Sequence, residues 1–226
     1  SHGIYEAEVS IEGGAGNDTV SIISGNGQAI GAYERNSSVS IDGGEGNDVI
    51  NISGRYEGIK LSKVSIAGGE GADTVSIYGG MWQGIGNSTV TIEGGAGADQ
   101  INIDSAYWGI DESTVSITGG ENDDKINVKG ATFAIADSTA TISGDAGNDE
   151  INISGNGGIY YNSDVLIAGG EGKDTIKVAG SGFDGSMYSK YTLDGGADND
   201  YIQISGNTGI GGGSTVNADG GEGDDT

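Results

Sequence analysis

Residues 64–77 read Val-Ser-Ile-Ala-Gly-Gly-Glu-Gly-Ala-Asp-Thr-Val-Ser-Ile, and this stretch decides the fold. Apolar and polar residues alternate at both of its ends, which is the period of a half-buried β-strand. The six central residues, 68–73, predict a turn, because glycine adopts positive φ angles without steric cost. The stretch therefore predicts a strand, a tight turn and a second strand.

The same strand–turn–strand unit recurs about once every 25 residues along the chain. A unit of this kind can bury its apolar side only against a neighbouring unit, so the repeats stack into one elongated body. The repetition predicts a single elongated β-solenoid domain over residues 1–226. We expect this domain to be a fragment of a longer repeat protein, with residues 1–3 a cloning remnant. The first glycines of the turns are Gly13, Gly43, Gly68, Gly94, Gly119, Gly144, Gly169, Gly195 and Gly220.

Three columns of β-branched residues run through the units, as expected for stacked strands. In the unit quoted above, Val64 and Ile66 belong to the first column, Val75 and Ile77 to the second, and Ile85 to the third. Three inward-facing segments per unit predict a flattened or three-sided coil. The third column comprises Ile4, Ile30, Ile59, Ile85, Ile110, Ile135, Ile159 and Ile210, with Met187 as the equivalent in the eighth unit.

The predicted fold class is therefore all-β, a right-handed parallel β-helix or β-solenoid with about nine coils of about 25 residues. Consecutive coils of parallel strands lie about 4.8 Å apart, so nine coils form a rod roughly 40 Å long. The right hand follows the rule for parallel crossovers. The chain contains no proline, which would break a ladder between interior strands. Extra residues around 32–36 predict an outward loop in the first full unit.

Composition excludes several classes of partner. The formal net charge of −25 excludes nucleic acid and anionic membrane surfaces, which require clustered Lys and Arg. No apolar run approaches the roughly 20 residues that span a bilayer, so membrane insertion is not expected. The chain has no cysteine and a single histidine, His2, which leaves no thiolate or imidazole metal site.

One aspartate closes every turn, and stacking places these side chains about 5 Å apart. Two like charges at this distance repel by about 3 kcal/mol at an effective dielectric near 20. Eight such neighbour pairs together could exceed the roughly 5–15 kcal/mol that stabilises a whole domain. Nine Lys and Arg in total cannot neutralise the column. The aspartates are Asp18, Asp48, Asp73, Asp99, Asp124, Asp149, Asp174, Asp200 and Asp225.

A hard divalent cation would remove this repulsion. Carboxylate and carbonyl oxygens without His or Cys favour calcium over zinc or copper, and flexible glycine turns suit calcium better than magnesium. We therefore predict several calcium ions, up to about eight, in the gaps along one edge of the solenoid. The alternative interpretation is that each aspartate only forms a local Asx-turn.

The pattern Gly-Gly-x-Gly-x-Asp, followed by alternating apolar residues, resembles the nonapeptide of RTX (repeats-in-toxin, hemolysin-type) calcium-binding proteins. The resemblance implies a β-roll-like solenoid with calcium between successive turns, held by the motif Asp and by main-chain carbonyls. Here the motif occupies one edge only, whereas the family's β-roll carries it on both. The implied carbonyl ligands are those of Gly13, Ala15, Gly43, Glu45, Gly68, Glu70, Gly94, Ala96, Gly119, Glu121, Gly144, Ala146, Gly169, Glu171, Gly195 and Ala197.

Three residues depart from the motif and a lysine lies beside one motif Asp, and we expect these four sites to be the weakest. Asn122 and Asp198 replace the third glycine of their turns, and Asp145 replaces a second glycine. Asn and Asp tolerate left-handed φ better than other non-glycine residues, so these turns should survive. Lys173 lies beside Asp174 and would weaken calcium binding there.

Aromatic residues concentrate in the segment that differs from unit to unit. Tyr56, Trp82 and Tyr107 each precede a third-column isoleucine by three residues, so they should stack. One interpretation is packing at a wide corner of the coil. The other is a binding strip for glycan or protein that also includes Trp108 and Phe133.

The resemblance implies a calcium-binding structural module of a secreted or cell-surface bacterial protein, such as an adhesin, exoprotein or surface-layer component. Such a chain would fold outside the cell, where calcium is abundant. We see no catalytic constellation and predict that the chain is not an enzyme. One alternative is a carbohydrate-binding or carbohydrate-active β-helix, for which Arg35, Arg55, Lys60 and Lys63 are the available basic residues. A third hypothesis is end-to-end self-association into fibres.

Overall fold

The computed structural model describes residues 3–31, 36–180, 188–206 and 213–226, and its regular secondary structure there consists of strands. No helix in this part of the chain has the length and apolarity that a membrane crossing requires. The strands are β1 (Glu8–Ala15), β2 (Thr19–Ser24), β3 (Ser38–Glu45), β4 (Val49–Gly54), β5 (Ile59–Lys60), β6 (Lys63–Glu70), β7 (Thr74–Gly79), β8 (Gln83–Gly86), β9 (Thr89–Ala96), β10 (Gln100–Ser105), β11 (Trp108–Asp111), β12 (Thr114–Glu121), β13 (Lys125–Gly130), β14 (Phe133–Ala136), β15 (Thr139–Ala146), β16 (Glu150–Gly155), β17 (Ile159–Tyr160), β18 (Asp164–Glu171), β19 (Thr175–Gly180), β20 (Lys190–Ala197), β21 (Tyr201–Ser205) and β22 (Thr215–Glu222).

These strands form three parallel sheets that wrap one solenoid. The first sheet has nine strands in the order β1-β3-β6-β9-β12-β15-β18-β20-β22. The second has eight strands, β2-β4-β7-β10-β13-β16-β19-β21, and the third has five, β17-β14-β11-β8-β5. Each strand pairs with its equivalent one coil further on, as Val64 does with Val90 and Ile66 with Ile92. The predicted all-β parallel solenoid is confirmed.

The coil count differs slightly between the sheets. The predicted nine units are present in the first sheet, whereas complete three-sided turns number about seven. Two isolated bridges, Ile4 to Ile30 and Ile30 to Ile59, extend the third sheet toward the amino end. Met187, Ile210 and residues 32–35 of the predicted loop lie outside the described residues.

The core is the set of stacked isoleucine and valine columns that the sequence predicts. Ile66, Ile77 and Ile85 face one another from the three sheets and are almost completely inaccessible to solvent. Burying a side chain of this size stabilises the fold by about 1.5–3 kcal/mol. The width of the core is only a few side chains, which is why a chain of modest apolar content can fill it.

A ladder of serines lines the corner where the third sheet passes into the first, and the sequence analysis did not predict it. The Ser88 N–H donates to the Oγ of Ser113 at 3.1 Å, and the Ser113 N–H donates to the Oγ of Ser138 at 3.0 Å. The Ser113 hydroxyl donates in turn to the carbonyl oxygen of Asp111 at 2.7 Å. This serine precedes the first strand of eight units, as Ser37, Ser62, Ser88, Ser113, Ser138, Ser163, Ser189 and Ser214.

Replacing one buried serine of this ladder is expected to destabilise the solenoid. Ser113→Ala removes an acceptor and a donor, leaving the Ser88 N–H and the Asp111 carbonyl without their bonds. We expect a loss of about 1–3 kcal/mol in the free energy of unfolding. Urea denaturation in calcium measures this loss, with Ser65→Ala on the exposed face of β6 as the matched control. Equal midpoints for the two variants would contradict the role of the ladder.

Candidate metal centre

The glycine-rich turns join the first sheet to the second and depend on left-handed backbone at two motif positions. Gly69 and Gly71 have φ angles of 115° and 116°, and equivalent glycines in other turns have similar values. Where the motif departs from glycine, Asn122, Asp145 and Asp198 adopt φ angles of 79°, 78° and 78°. These residues therefore preserve the turn, as the sequence analysis expected.

The motif aspartates point inward, into the end of the core. From Asp48 to Asp200 their exposed fraction is only 2% to 3%, whereas Asp18 is half-buried and Asp225 is exposed. In each of these aspartates after Asp18, one carboxylate oxygen, Oδ1, accepts the N–H of the equivalent Asp in the preceding coil. The Asp73 N–H, for example, donates to the Asp99 Oδ1 at 2.7 Å, and the range along the column is 2.6 to 3.0 Å. The bond therefore joins two coils and differs from the local Asx-turn of the alternative interpretation.

The second carboxylate oxygen, Oδ2, is buried and has no hydrogen-bond partner among the residues described. This is the case in eight consecutive turns. A buried polar atom without a partner costs about 1–3 kcal/mol, and more when the group is charged. Repetition of the same unpaired oxygen in eight consecutive turns indicates a ligand at this edge. The eight residues are Asp18, Asp48, Asp73, Asp99, Asp124, Asp149, Asp174 and Asp200.

A second oxygen converges on the same space, which is open because the first motif residue has no side chain. A methyl group built on Gly68 would stand 2.5 Å from the Asp73 Oδ2 and 2.5 Å from the carbonyl oxygen of Gly94 in the next coil. Six further turns, those that begin at Gly13, Gly43, Gly94, Gly119, Gly169 and Gly195, place a carboxylate oxygen and a carbonyl oxygen together in the same way. Hard oxygen atoms of these two types are the ligands that calcium prefers.

Adding a side chain at this first glycine is expected to destabilise the fold and weaken metal binding. Gly68→Ala would push a methyl group against both oxygens, and overpacking of this kind costs about 1–3 kcal/mol. Gly25→Ala is the matched control, because nothing lies within 4 Å of the added methyl group there. Thermal melts in calcium and a calcium titration of both variants measure the two effects. A Gly68→Ala variant that matches the control would contradict this geometry.

Burial shifts the acidity of the inward-facing carboxyls. Loss of hydration raises the pKa of Asp99 and Asp149 to about 6, and that of Asp124 and Asp174 to about 7. Neighbouring aspartates of the column add to this rise, and the N–H of the preceding coil opposes it. The pKa of Asp73 is also raised, mainly by burial. A column of this kind binds either protons or cations near neutral pH.

The predicted carbonyl ligands fall into two groups. Those at the first motif position converge on the aspartate oxygens as described. Those at the third position accept a hydrogen bond from the preceding turn, as Glu45 does from the Gly16 N–H at 2.7 Å and Ala96 from the Gly71 N–H at 2.7 Å. Each carbonyl oxygen has two lone pairs, so one remains for a metal ion.

Within the described ranges, no three acidic or imidazole side chains come together as a metal cluster. A cation at this edge would therefore be held by one motif carboxylate per turn together with main-chain carbonyls, and calcium takes oxygen ligands of both kinds. Bound calcium would supply the positive charge that the stacked carboxylates lack.

The fifth motif position forms a further ladder, which the sequence analysis missed. The Asn47 N–H donates to the Asn17 Oδ1 and the Ala72 N–H to the Asn47 Oδ1, both at 2.9 Å. Lys173 takes part as a donor through its main-chain N–H, at 3.0 Å from the Asn148 Oδ1. The signal was an Asn or Asp at this position in most of the turns. Lys173 lies beside Asp174, and the expected weakening of the calcium site there stays a prediction.

Three of the four basic residues considered for a carbohydrate-active β-helix lie in the described part of the chain. Arg55 donates to the Asn26 Oδ1 at 3.1 Å, and Lys60 donates to the Asn87 Oδ1 at 2.6 Å. Lys63 is exposed at the start of β6, and Arg35 lies outside the described residues. Their pairing with surface amides gives no support to an enzymatic role.

The predicted aromatic residues lie on the third side of the solenoid. Rings of Trp82 and Tyr107 meet edge to face with centroids 6.3 Å apart, and Trp108 and Phe133 continue the line. Tyr56 lies one coil earlier, where its carbonyl oxygen accepts the Trp82 N–H at 3.0 Å. Their role in binding stays a prediction.

Fold and site together define a parallel β-solenoid whose stacked glycine-rich turns present buried, unpartnered carboxylate oxygens along one edge. The family model described as RTX calcium-binding nonapeptide repeat (4 copies) matches residues 9–21, 38–51, 86–103, 140–152 and 192–203. The chain carries RTX calcium-binding nonapeptide repeats, as the resemblance of its turns indicated. No curated protein and no solved structure matches the chain significantly.

Proposed function

We propose that this chain is a calcium-dependent structural module of a secreted or cell-surface bacterial protein and that its folding is coupled to calcium binding. The observation that carries the proposal is the column of buried Oδ2 atoms without partners in eight consecutive turns. Calcium, which the RTX family implies, would give each of these oxygens a partner.

Coupling follows from the position of the ligands. Each candidate site combines a carboxylate with a carbonyl from the next coil, so no site exists until two coils have stacked. A ligand that binds only the folded state stabilises that state in proportion to its saturation. Calcium would therefore decide whether the chain folds.

The coupling of folding to calcium binding favours a role outside the cell. RTX repeats typically belong to secreted bacterial proteins, and extracellular calcium modules work at about 10⁻⁴–10⁻³ M. A chain that needs such concentrations would stay unfolded before export and fold after it. We propose a structural rather than an enzymatic role, as an adhesin, exoprotein or surface-layer component, because the repeated carboxylates are all accounted for by metal binding.

A calorimetric calcium titration with stoichiometry tests the proposal. We expect several ions per chain, up to about eight, because nine turns enclose that number of gaps. Asp124→Asn should bind fewer ions, since it removes the charge of one buried carboxylate. Asp42→Asn, which removes the same charge from an exposed position on β3, should bind as many as the unchanged chain. Absence of saturable calcium binding would refute the proposal.

A further inference from the structure

A line of aromatic side chains follows the solenoid axis on its third side, far from the acidic edge. We name it the aromatic strip and define it as Trp82, Tyr107, Trp108, Phe133, Tyr160 and Tyr161. Each ring contacts the next, from the edge-to-face pair Trp82–Tyr107 to the stacked pair Phe133–Tyr160, whose centroids lie 4.1 Å apart. The strip therefore forms one continuous surface over four successive coils.

This surface is open to solvent and does not serve the core. Trp82 is 47% exposed, Tyr107 40% and Tyr161 45%, while the inner side of the same sheet is already filled by the buried Ile85 and Ile110. A contiguous exposed patch of large rings on an otherwise polar surface is typical of a binding site. Trp and Tyr suit such sites, because their rings offer apolar area and a polar group at once.

Two buried polar atoms beside the strip have no hydrogen-bond partner among the residues described, namely Trp108 Nε1 and Gln83 Oε1. Trp108 and Gln83 face each other in the ladder between β8 and β11, and only 6% of Gln83 is exposed. The Gln83 Nε2 donates to the Asp111 Oδ2 at 3.0 Å, which fixes the amide so that its oxygen is the free atom.

Trp108 Nε1 and Gln83 Oε1 require opposite hydrogen-bond partners. The indole N–H can only donate a hydrogen bond, and the amide oxygen can only accept one. A hydroxyl group both accepts and donates, so the hydroxyls of one ligand suit both atoms. A ligand rich in hydroxyls, with apolar faces that stack on aromatic rings, combines the two requirements of this surface.

We propose that the aromatic strip binds a neutral polysaccharide that lies along the solenoid axis. Coils advance by about 4.8 Å, close to the length of one sugar unit, so successive rings can meet successive sugars. An anionic polysaccharide is disfavoured by the net charge of −25 and by Glu112 and Asp137 at the adjacent corner. The binding would anchor the module to a glycan surface, independently of its calcium sites.

Affinity electrophoresis of the calcium-loaded full chain tests the proposal, with soluble cellulose derivatives, β-glucan and dextran as neutral probes and alginate as the anionic probe. At least one neutral polysaccharide should retard the chain, and alginate should not. The double variant Trp82→Ala, Tyr107→Ala should bind about tenfold more weakly, the loss expected when two stacking rings are removed. Tyr78→Ala, an equally exposed tyrosine on the second sheet, should bind like the unchanged chain.

Intrinsic fluorescence gives a readout that needs no variant. The chain has two tryptophans, and both belong to the aromatic strip, so a bound neutral polysaccharide should shift their emission. Absence of retardation and of an emission shift with every neutral probe would overturn the proposal. A loss of affinity in the Tyr78→Ala variant equal to that in the double variant would also overturn it, as would equal retardation by alginate. Self-association of the chain that the double variant abolishes would instead assign the aromatic strip to contact between copies.

Discussion

Chelation of calcium at neutral pH is expected to convert the solenoid into a largely disordered chain. A site at a calcium concentration one hundred times its dissociation constant stabilises the folded state by about 2.7 kcal/mol. Several such sites together reach the roughly 5–15 kcal/mol that holds a domain folded. Without calcium, the buried oxygens of residues such as Asp99 and Asp149 lose their partner, and the column regains its repulsion.

Far-ultraviolet circular dichroism measures this change. The β-sheet signal should disappear in chelator and return when millimolar calcium is restored. Magnesium at the same concentration should restore much less, because it demands a regular octahedral site. Sodium chloride of matched ionic strength separates specific binding from general screening of the charge. A spectrum that is indifferent to chelator would contradict calcium-coupled folding.

The chain stripped of calcium is expected to be more stable near pH 5 than near pH 8. In the folded state the pKa values of Asp124 and Asp174 are about 7, whereas an aspartate in an unfolded chain titrates near 3.9. Between these two values the folded chain holds more protons than the unfolded chain does. Its free energy of unfolding therefore falls as the pH rises through this window. The contribution is complete below about pH 4 and lost above about pH 7.

Calcium should reverse the sign of this dependence. The ion binds only the ionised carboxylates, so its affinity rises as the protons leave. The β-sheet circular dichroism signal of the metal-free chain and thermal melts of the calcium-saturated chain, both recorded from about pH 5 to about pH 8, test both signs. A β-sheet signal of the metal-free chain that grows as the pH rises would show that protons do not replace calcium in the column.

The fold could be predicted from the sequence because each coil repeats the same alternation of apolar and polar residues around a glycine-rich turn. Val64, Ile66, Val75 and Ile77 alternate with polar residues, and their equivalents recur at nearly constant spacing, so the register between coils has a single solution. The same regularity predicted the third column at Ile85. The number of complete three-sided coils could not be predicted in the same way. The third segment varies in length and composition, and its strands pair over fewer coils than those of the other two sheets.

The inward orientation of the turn aspartates was not predicted. The sequence placed the stacked carboxylates along one edge without an orientation, whereas in the structure Asp73 and its equivalents enter the core beside Gly68 and leave one oxygen unpaired. Spacing identifies which residue repeats but does not give its rotamer. The Ser113 ladder was visible in the sequence as a serine before each first strand, yet serine is common enough at strand ends that the recurrence carried no separate meaning.

The ladders at the two corners give the stack a direction. The Asp73 amide is held by the side chain of Asp99 in the following coil, and the Ser88 amide by that of Ser113. Removing the Asp99 side chain therefore leaves the Asp73 N–H of the preceding coil without its acceptor, whereas the Asp99 N–H keeps its bond to Asp124 in the following coil. The lost hydrogen bond thus lies in the coil on the amino-terminal side of the substitution. The effects of two neighbouring substitutions on stability should therefore couple differently according to which of them comes first along the chain.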